Sequence, residues 1–157
     1  MTNLSVNVNK IAWLRNARGE NRPNLIEMSK ILIESGVHGL TVHPRPDLRH
    51  ITPDDVYDLS ILCADNKVEF NIEGNPYSEQ TKIYPGFLNL VKEIMPDQCT
   101  LVPDSPDQLT SDHGWEIQAK DHNAIRNIVE EIQTDKTRVS FFVDPNKAQI
   151  DSIKELG

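Results

Sequence analysis

The sequence predicts an α/β fold of about five parallel strands with flanking helices, in one domain covering residues 1–157. Residues 5–9, 41–45 and 69–73 alternate polar and apolar side chains as strands do, and each stretch ends in a chemically capable group. The alternation alone also fits an antiparallel sheet with one wet face. Helix-like segments separate the three stretches, whereas antiparallel hairpins would need only short turns, so parallel βα units are favoured.

The first strand is predicted at about residues 4–9, and a long segment through Gly19 follows it. A helix is predicted over about 24–35, because apolar residues recur there at near-helical spacing and Gly36 stands where a left-handed stop belongs. The second strand is predicted over 39–43 and is ended by the proline that follows.

Thr52 is predicted to be the N-cap of the next helix, because Pro53 follows in the first turn and two acidic residues lie near the positive end of the helix dipole. The third strand is predicted at about 68–73. An apolar helix face comes next and is stopped by Pro96, and the fourth strand is predicted over 98–102.

A long polar loop is predicted over about 103–120, followed by a helix at about 121–134 that buries isoleucine and valine side chains. The fifth strand is predicted over 138–143. Asp144 and Pro145 then have the cap-and-proline pattern of a helix start, which predicts a last helix.

The predicted strand ends recur roughly every 30 to 40 residues, which matches one βα unit. An open doubly wound sheet and a (β/α)8 barrel, the TIM barrel, are both built from such units. Doubly wound strands are buried on both faces and read as continuous apolar runs, whereas these alternate and collect polar residues at their carboxyl ends. A barrel places its active site at that end, but it needs roughly 200 residues or more, so the sequence predicts a partial barrel.

The net charge of −8 argues against nucleic acid or an anionic membrane as a partner. The first 50 residues carry seven basic and four acidic side chains, and the remainder carries nine and twenty. Arginines near the predicted strand ends of an acidic protein are suited to a small anion, because a guanidinium matches phosphate or carboxylate in a bidentate way. The absence of a long apolar run and of a signal-peptide pattern predicts a cytoplasmic protein.

His43 and Glu73 are the leading acid/base candidates. Each ends a predicted strand on the polar face, and neighbouring strands would bring both within reach of one ligand. The alternative for His43 is a satisfied structural histidine. The alternative for Glu73 is a salt bridge to Arg45 or Arg18, because a buried carboxylate is costly unless it is paired.

Neither a metal nor a nucleotide cofactor is predicted. His43, His50 and Glu73 could together bind a metal ion, but the chain has no His-x-His at a strand end and no His-Glu-x-x-His. It also has no Gly-x-Gly-x-x-Gly and no phosphate-loop lysine motif. Cys63 and Cys99 lack the paired spacing of a zinc site and are expected to be ordinary buried thiols.

Several motifs occur in order along the chain and together closely resemble the pyridoxine 5′-phosphate synthase family. They are VNVNKIAWLRNARG at 6–19, GLTVHPRPDLRHI at 39–51, NIEG at 71–74, LVPD at 101–104 and QLT at 108–110. The first two are long and distinctive, and the resemblance covers essentially the whole chain.

The resemblance implies a (β/α)8 barrel of vitamin B6 biosynthesis that assembles into a homo-oligomer. It implies condensation of 3-amino-2-oxopropyl phosphate with 1-deoxy-D-xylulose 5-phosphate, without metal or redox cofactor. By the matching motifs, His43 and Glu73 would be proton acceptors. The substrate-binding residues it implies are Asn7 and Arg18 for the aminooxopropyl phosphate, and Arg45, His50 and Thr110 for the deoxyxylulose phosphate.

Two departures from the family pattern bear on activity. The family's Asp-His pair after the first strand is Asn9-Lys10 here, although Lys10 could still attract a phosphate. The family's later histidine acid and its backbone phosphate cradle belong to strands six to eight, whereas only five strands are predicted here. The loss of one acid/base group raises the activation barrier by roughly 3 to 5 kcal/mol. The isolated chain is therefore expected to be inactive. The alternative is a non-catalytic truncated barrel that binds a sugar phosphate or acts as an assembly partner.

Overall fold

The computed structural model of the chain describes residues 2–156, apart from the side chain of Ala119. The strands are β1 (Ser5–Asn7), β2 (Gly39–Val42), β3 (Glu69–Gly74), β4 (Gln98–Leu101) and β5 (Arg138–Phe141). The helices are α1 (Asn9–Arg18), α2 (Leu25–Glu34), α3 (Pro53–Asn66), α4 (Phe87–Ile94), α5 (His122–Ile132) and α6 (Lys147–Lys154), with a 3₁₀ turn at Ala119–Asp121. None of the helices in this described part has the length and apolar character needed to cross a membrane.

All five strands are parallel, and their order in the sheet is the order of the chain, β1-β2-β3-β4-β5. A doubly wound sheet reverses its strand order at a switch point and carries helices on both faces. Here each of the helices α1 to α4 packs against the next helix along the chain, so α1 to α5 form one continuous layer. The predicted α/β class is confirmed, and the sequential order is that of a barrel wall.

The hydrophobic core lies between the sheet and this helix layer. Leu40, Val42, Phe70 and Ile72 point into it from alternate positions of β2 and β3 and are at most 3% exposed. The helix residues buried against them include Val56, Leu59, Leu62, Phe87, Leu90, Val91, Ile125 and Val129. Burying one such side chain is worth roughly 1.5–3 kcal/mol. The two cysteines are buried free thiols, as predicted, and burial raises the pKa of each to about 12.

The opposite face of the sheet carries a chain of polar side chains that crosses all five strands. The hydroxyls of Ser5 and Thr41 lie 2.8 Å apart, and Asn71 Nδ2 donates to Thr41 Oγ1 at 3.3 Å. Thr100 Oγ1 donates to Asn71 Oδ1 at 3.0 Å and lies 2.7 Å from the hydroxyl of Ser140. The prediction that polar residues share one face while apolar residues pack behind them is therefore confirmed for these strands.

Several predicted element ends are off by one or two residues, and β5 ends at Phe141 instead of residue 143. Two other predicted boundaries are wrong because an asparagine side chain binds nearby backbone. The first strand ends at Asn7 and does not extend to Asn9, which is the first residue of α1. The backbone N–H of Asn9 donates to Asn7 Oδ1 at 2.9 Å, and this local hydrogen bond ends the strand. The last helix begins at Lys147, and its N-cap is Asn146, whose Oδ1 accepts two backbone hydrogen bonds from the first turn. Asp144 therefore does not cap that helix.

Thr52 caps α3 as predicted. Its Oγ1 accepts a hydrogen bond from Asp55 N, and Asp55 Oδ2 accepts one from Thr52 N, which completes a capping box. Arg15 of α1 donates to both oxygens of the Asp55 carboxylate, at 2.5 and 2.8 Å. The Asp55 carboxylate thus completes the cap of α3 and also joins α3 to α1. Both contacts hold in place the end of the loop that runs from β2 to α3.

The edge strands β1 and β5 each pair on one side only within the described residues. Beside β5 lies a groove of about 300 Å³ between α5, β5 and α6. The apolar residues that line it are Val129, Val139, Phe141, Val143, Ile150, Ile153 and Leu156. An unpaired strand edge next to an apolar groove is a template for pairing with another chain.

We expect the isolated 1–157 chain to form dimers or larger assemblies, which native mass spectrometry and scanning calorimetry will detect. Val143→Lys places a charge in the groove beside the β5 edge at an exposed position and should shift the distribution toward monomer, because a lysine at a sheet edge discourages pairing with another chain. Ile61→Lys, at an exposed position of α3, is the matched control and should leave the distribution unchanged. A compact wild-type monomer that unfolds in one cooperative transition would contradict this prediction.

Candidate active site

The carboxyl ends of β2, β3 and β4 meet around a cleft of about 240 Å³. Parallel strands bring these ends to the same edge of the sheet, so the loops that leave them become neighbours. Six of the residues that line the cleft are His43, Arg45, Asp47, Asn75, Asp104 and Ser105. The cleft therefore combines an imidazole, a guanidinium and carboxylates, which is a set able to move protons and hold an anion.

Glu73 projects from the polar face of β3 and is held by Asn7, whose Nδ2 donates to Glu73 Oε1 at 2.7 Å. The pKa of Glu73 is raised to about 7, chiefly by burial; the hydrogen bond from Asn7 opposes the rise, and the negative charge of Asp104 supports it. Among the described residues, Glu73 forms no salt bridge to Arg45 or Arg18, so that alternative is wrong. A carboxyl with a pKa near 7 can both accept and return a proton at neutral pH.

His43 lies directly after β2 and is only 5% exposed. Burial, together with the positive charge of Arg45, lowers the pKa of its imidazole to about 3, so the ring is neutral at pH 7. Asn9 Oδ1 accepts a hydrogen bond from the backbone N–H of His43 at 2.8 Å and ties the start of α1 to the end of β2. His43 Nε2 lies 3.5 Å from Asp104 Oδ2.

Arg45 is buried and joins the loop after β2 to the loop after β4. Its Nη2 forms an ion pair with Asp104 Oδ2, and its Nη1 donates to the Gln108 carbonyl at 2.9 Å. Arg49 donates to the same carbonyl at 2.9 Å, and Ser111 Oγ donates to Asp104 Oδ2 at 2.9 Å. The two loops are therefore held together by charge-assisted hydrogen bonds.

His50 lies beside His43, with 6.0 Å between the ring centroids. Its Nδ1 accepts a hydrogen bond from Ile51 N at 2.9 Å, so the neutral ring carries its proton on Nε2. Burial, together with the positive charge of Arg45, lowers the pKa of His50 to about 4. Asn16 Nδ2 donates to the His50 carbonyl at 2.8 Å and secures the backbone. A fixed Nε2–H donor of this kind can bind a phosphate oxygen.

Three of the predicted substrate-binding residues, Lys10, Arg18 and Thr110, have exposed side chains. The ammonium of Lys10 lies 5.8 Å from the ring centroid of Trp13, and its charge contributes to the lowered pKa of His50. Arg18 is the last residue of α1, and Thr110 lies in the loop after β4. The structure thus gathers Asn7, Asn9, His43, Arg45, His50 and Glu73 through shared contacts, and it leaves these three outside that network.

Sequence reasoning assigned no role to Asp104, which contacts both His43 and Arg45. It is 7% exposed, and its Oδ1 is buried without a hydrogen-bond partner among the described residues. The available signal was its position, because a carboxylate that follows Pro103 at the end of the fourth strand lies where a barrel places its site.

The three residues considered as metal ligands do not form a metal site. Within residues 2–156, no group of three or more His, Cys, Asp or Glu side chains has an arrangement that could hold a metal ion. The side chains of His43 and His50 instead face Asp104 and a backbone N–H, respectively.

The chain matches the model of a protein family over residues 4–157, and that family is described as "Pyridoxal phosphate biosynthesis protein PdxJ". Pyridoxine 5′-phosphate synthase of Xylella fastidiosa (strain 9a5c) is 52% identical over 145 residues, which cover 92% of this chain and 55% of that protein. The synthase of Xanthomonas campestris pv. campestris (strain B100) is 49% identical over 156 residues, covering 99% and 60%. The chain therefore spans less than two thirds of the length of these curated relatives.

We expect the Glu73 carboxyl to titrate near pH 7, which carboxyl ¹³C NMR of glutamate-labelled protein will measure. Asn7→Ala removes the hydrogen bond that lowers this pKa, so the midpoint should move to higher pH. Glu130→Gln, at an exposed position of α5, is the control and should leave the Glu73 midpoint unchanged. A Glu73 midpoint below pH 5 would contradict the environment described for this carboxyl.

The lowered pKa values of His43 and His50 predict acid sensitivity. The unfolded chain protonates both rings near pH 6.5, whereas the folded chain resists protonation down to about pH 3 to 4, so their contribution to stability is lost as pH falls through this window. Urea unfolding should show the free-energy difference between wild type and His43→Gln narrowing as pH falls from 6.5 to 4. A difference that stays constant over this range would show that His43 titrates normally.

Proposed function

Because the chain belongs to the PdxJ family of pyridoxal phosphate biosynthesis proteins, we propose that it supplies the first part of the active site of a pyridoxine 5′-phosphate synthase. The proposed reaction condenses 3-amino-2-oxopropyl phosphate with 1-deoxy-D-xylulose 5-phosphate. The observation that carries the proposal is that one carboxylate, Asp104, links the candidate groups: it contacts His43 and Arg45, which follow β2, and its charge reaches Glu73 on the neighbouring β3. Activity requires the remaining strands of the barrel.

The proposed chemistry moves protons at several steps, because imine formation, loss of water and phosphate, and ring closure each need an acid or a base. Glu73 is suited to this work, since a pKa of about 7 leaves both of its protonation states populated at neutral pH. His43 is neutral in the free site and is available as a proton acceptor. Phosphate groups that enter beside Arg45 would offset its positive charge, raise the pKa of His43 and make that ring a stronger base.

The phosphate groups of the two substrates need hydrogen-bond donors, and some of the proposed donors are already engaged by other protein groups. His50 offers a fixed Nε2–H, whereas the guanidinium of Arg45 already contacts Asp104 and the Gln108 carbonyl. We assign these two residues and Thr110 to the deoxyxylulose phosphate, and Asn7, Arg18 and Lys10 to the aminooxopropyl phosphate. The Nδ2 of Asn7 is engaged by Glu73, so orienting that carboxyl is the larger part of its proposed role.

Asn9 is proposed to act through its amide group. Its Oδ1 is engaged by the backbone N–H of His43, which leaves the Nδ2 donor for a substrate oxygen. An aspartate at this position could accept the same backbone hydrogen bond but would offer no donor. A cytoplasmic location and assembly into a homo-oligomer remain predictions from the sequence and from the family resemblance.

The test joins this chain to the part of the Xylella fastidiosa relative that lies beyond the matched region, in what we call the fusion protein. With both phosphorylated substrates, we expect the fusion protein to form pyridoxine 5′-phosphate, detected by liquid chromatography and mass spectrometry. Glu73→Gln should lower kcat by roughly 10²- to 10⁴-fold, because it removes a positioned acid/base group. The exposed Glu130→Gln variant is the matched control and should retain full activity.

Two results would contradict the proposal. One is a folded fusion protein that binds both substrates and forms no product, and the other is unchanged turnover in Glu73→Gln. The isolated chain serves as a further comparison, because titration calorimetry can show whether it binds 1-deoxy-D-xylulose 5-phosphate. Binding by the isolated chain, together with an inactive fusion protein, would support the non-catalytic alternative.

A further inference from the structure

We propose that Asp104 is a positioning residue of this site, which fixes the tautomer of His43 and the direction of the Arg45 guanidinium. The geometry of the proposal stands independently, and only its kinetic test rests on the proposed function. Asp104 lies in the loop after β4, whereas His43 and Arg45 follow β2. The carboxylate therefore connects two separate loops at the point where the cleft opens.

A single oxygen of Asp104 organises three side chains. Oδ2 pairs with Arg45 Nη2, accepts a hydrogen bond from Ser111 Oγ at 2.9 Å and lies 3.5 Å from His43 Nε2. All of this occurs in a region where His43, Arg45 and Asp104 are each at most 7% exposed. Interactions between charged groups are stronger in such a setting than at the surface, because little water screens them.

The contact with His43 selects one of its two neutral tautomers. An ionised carboxylate is only an acceptor, so the ring nitrogen that faces it is favoured in its protonated form. Nε2 is that nitrogen, which leaves the lone pair of Nδ1 as the basic position of His43. A separation of 3.5 Å is long for a hydrogen bond, and catalytic hydrogen bonds commonly tighten only when substrate is bound.

The incomplete hydrogen bonding of Asp104 argues against a purely structural role. Its Oδ1 is buried without a partner among the described residues, whereas buried polar atoms in native proteins are nearly always bonded. A buried ion pair is also weak evidence for stability, because well-packed apolar residues often serve that purpose as well or better. The burial of Asp104 is better explained by its effect on the protonation of His43 and on the orientation of Arg45.

Asp104 also acts on the second acid/base group. Its negative charge contributes to the raised pKa of Glu73, which places the carboxylate close enough to influence both proton-transfer candidates. Asp104 therefore influences both which nitrogen of His43 carries the proton and how readily Glu73 is protonated. Sequence reasoning could not identify this link, because Asp104 is separated from Arg45 by 59 positions and from Glu73 by a strand and a helix.

The test is Asp104→Asn in the fusion protein, labelled with ¹⁵N-histidine. In the wild type, we expect the His43 resonances to report a proton on Nε2. Asparagine keeps the shape but removes the negative charge that faces both Arg45 and His43 Nε2. The preference for a proton on Nε2 should therefore weaken, and the ring proton should shift toward Nδ1. The kcat of the variant should fall by roughly 10²-fold or more, and the KM for 1-deoxy-D-xylulose 5-phosphate should change as well, because Arg45, its proposed ligand, loses the carboxylate that directs it.

Two controls separate positioning from general damage. Asp107→Asn makes the same chemical change at an exposed position of the same loop and should alter neither the tautomer nor kcat. Asp104→Glu keeps a carboxylate and should keep the proton on Nε2, with partial activity. This second variant also decides the question if Asp104→Asn fails to fold.

An unchanged His43 tautomer in folded Asp104→Asn, or a proton on Nδ1 in the wild type or in Asp104→Glu, would overturn the proposal. Failure of the proposed function is distinguishable, because the tautomer is measured without turnover. A fusion protein that forms no product but shows the expected tautomer change would retain the role of Asp104 and reject the synthase assignment.

Discussion

The register of the parallel strands is the constraint that the rest of this structure depends on. Thr41 of β2 pairs with Asn7 of β1 and with Asn71 of β3, so three polar side chains point to the same face. A shift of one residue in any pairing would send the polar side chains of that strand into the helix layer. The apolar core on one face and the chain of hydroxyl and amide hydrogen bonds on the other both oppose such a shift. The register also determines where His43 and Glu73 lie, because His43 directly follows β2 and Glu73 is part of β3.

The protonation states of His43, His50 and Glu73 depend on neighbouring charges that do not fully cancel. Arg45 and Asp104 neutralise each other, yet enough positive potential remains around the two histidines to lower the pKa values that burial has already lowered. Glu73 faces the opposite situation, because it has a neutral hydrogen-bond donor in Asn7 and a negative neighbour in Asp104. The free site therefore has neutral imidazoles and a carboxyl whose pKa of about 7 leaves it partly protonated at neutral pH.

Local patterns in the sequence predicted most of the fold and less of the site. The alternation in β2 and β3, the Thr52 cap and the sequential βα repeat depend on neighbouring residues, and the structure agrees with them. The errors at Asn9 and Asn146 have one cause, since short polar side chains compete for nearby backbone groups and move an element boundary by a few residues. The partners of Glu73 and Arg45 could not be predicted, because Asn7 and Asp104 lie 66 and 59 positions away and only the sheet brings them close.

The proposed proton-transfer groups lie on a face of the sheet that is open in the described structure. Asn7 is exposed and Glu73 is half-buried, so water still reaches the face on which they lie. Closing the barrel would remove this water, lower the local dielectric and strengthen every electrostatic interaction among these groups. The same closure would pair the edges of β1 and β5. Stability and the proposed catalysis would then be gained in the same step, because strands that completed the hydrogen bonding of the sheet would also enclose the cleft.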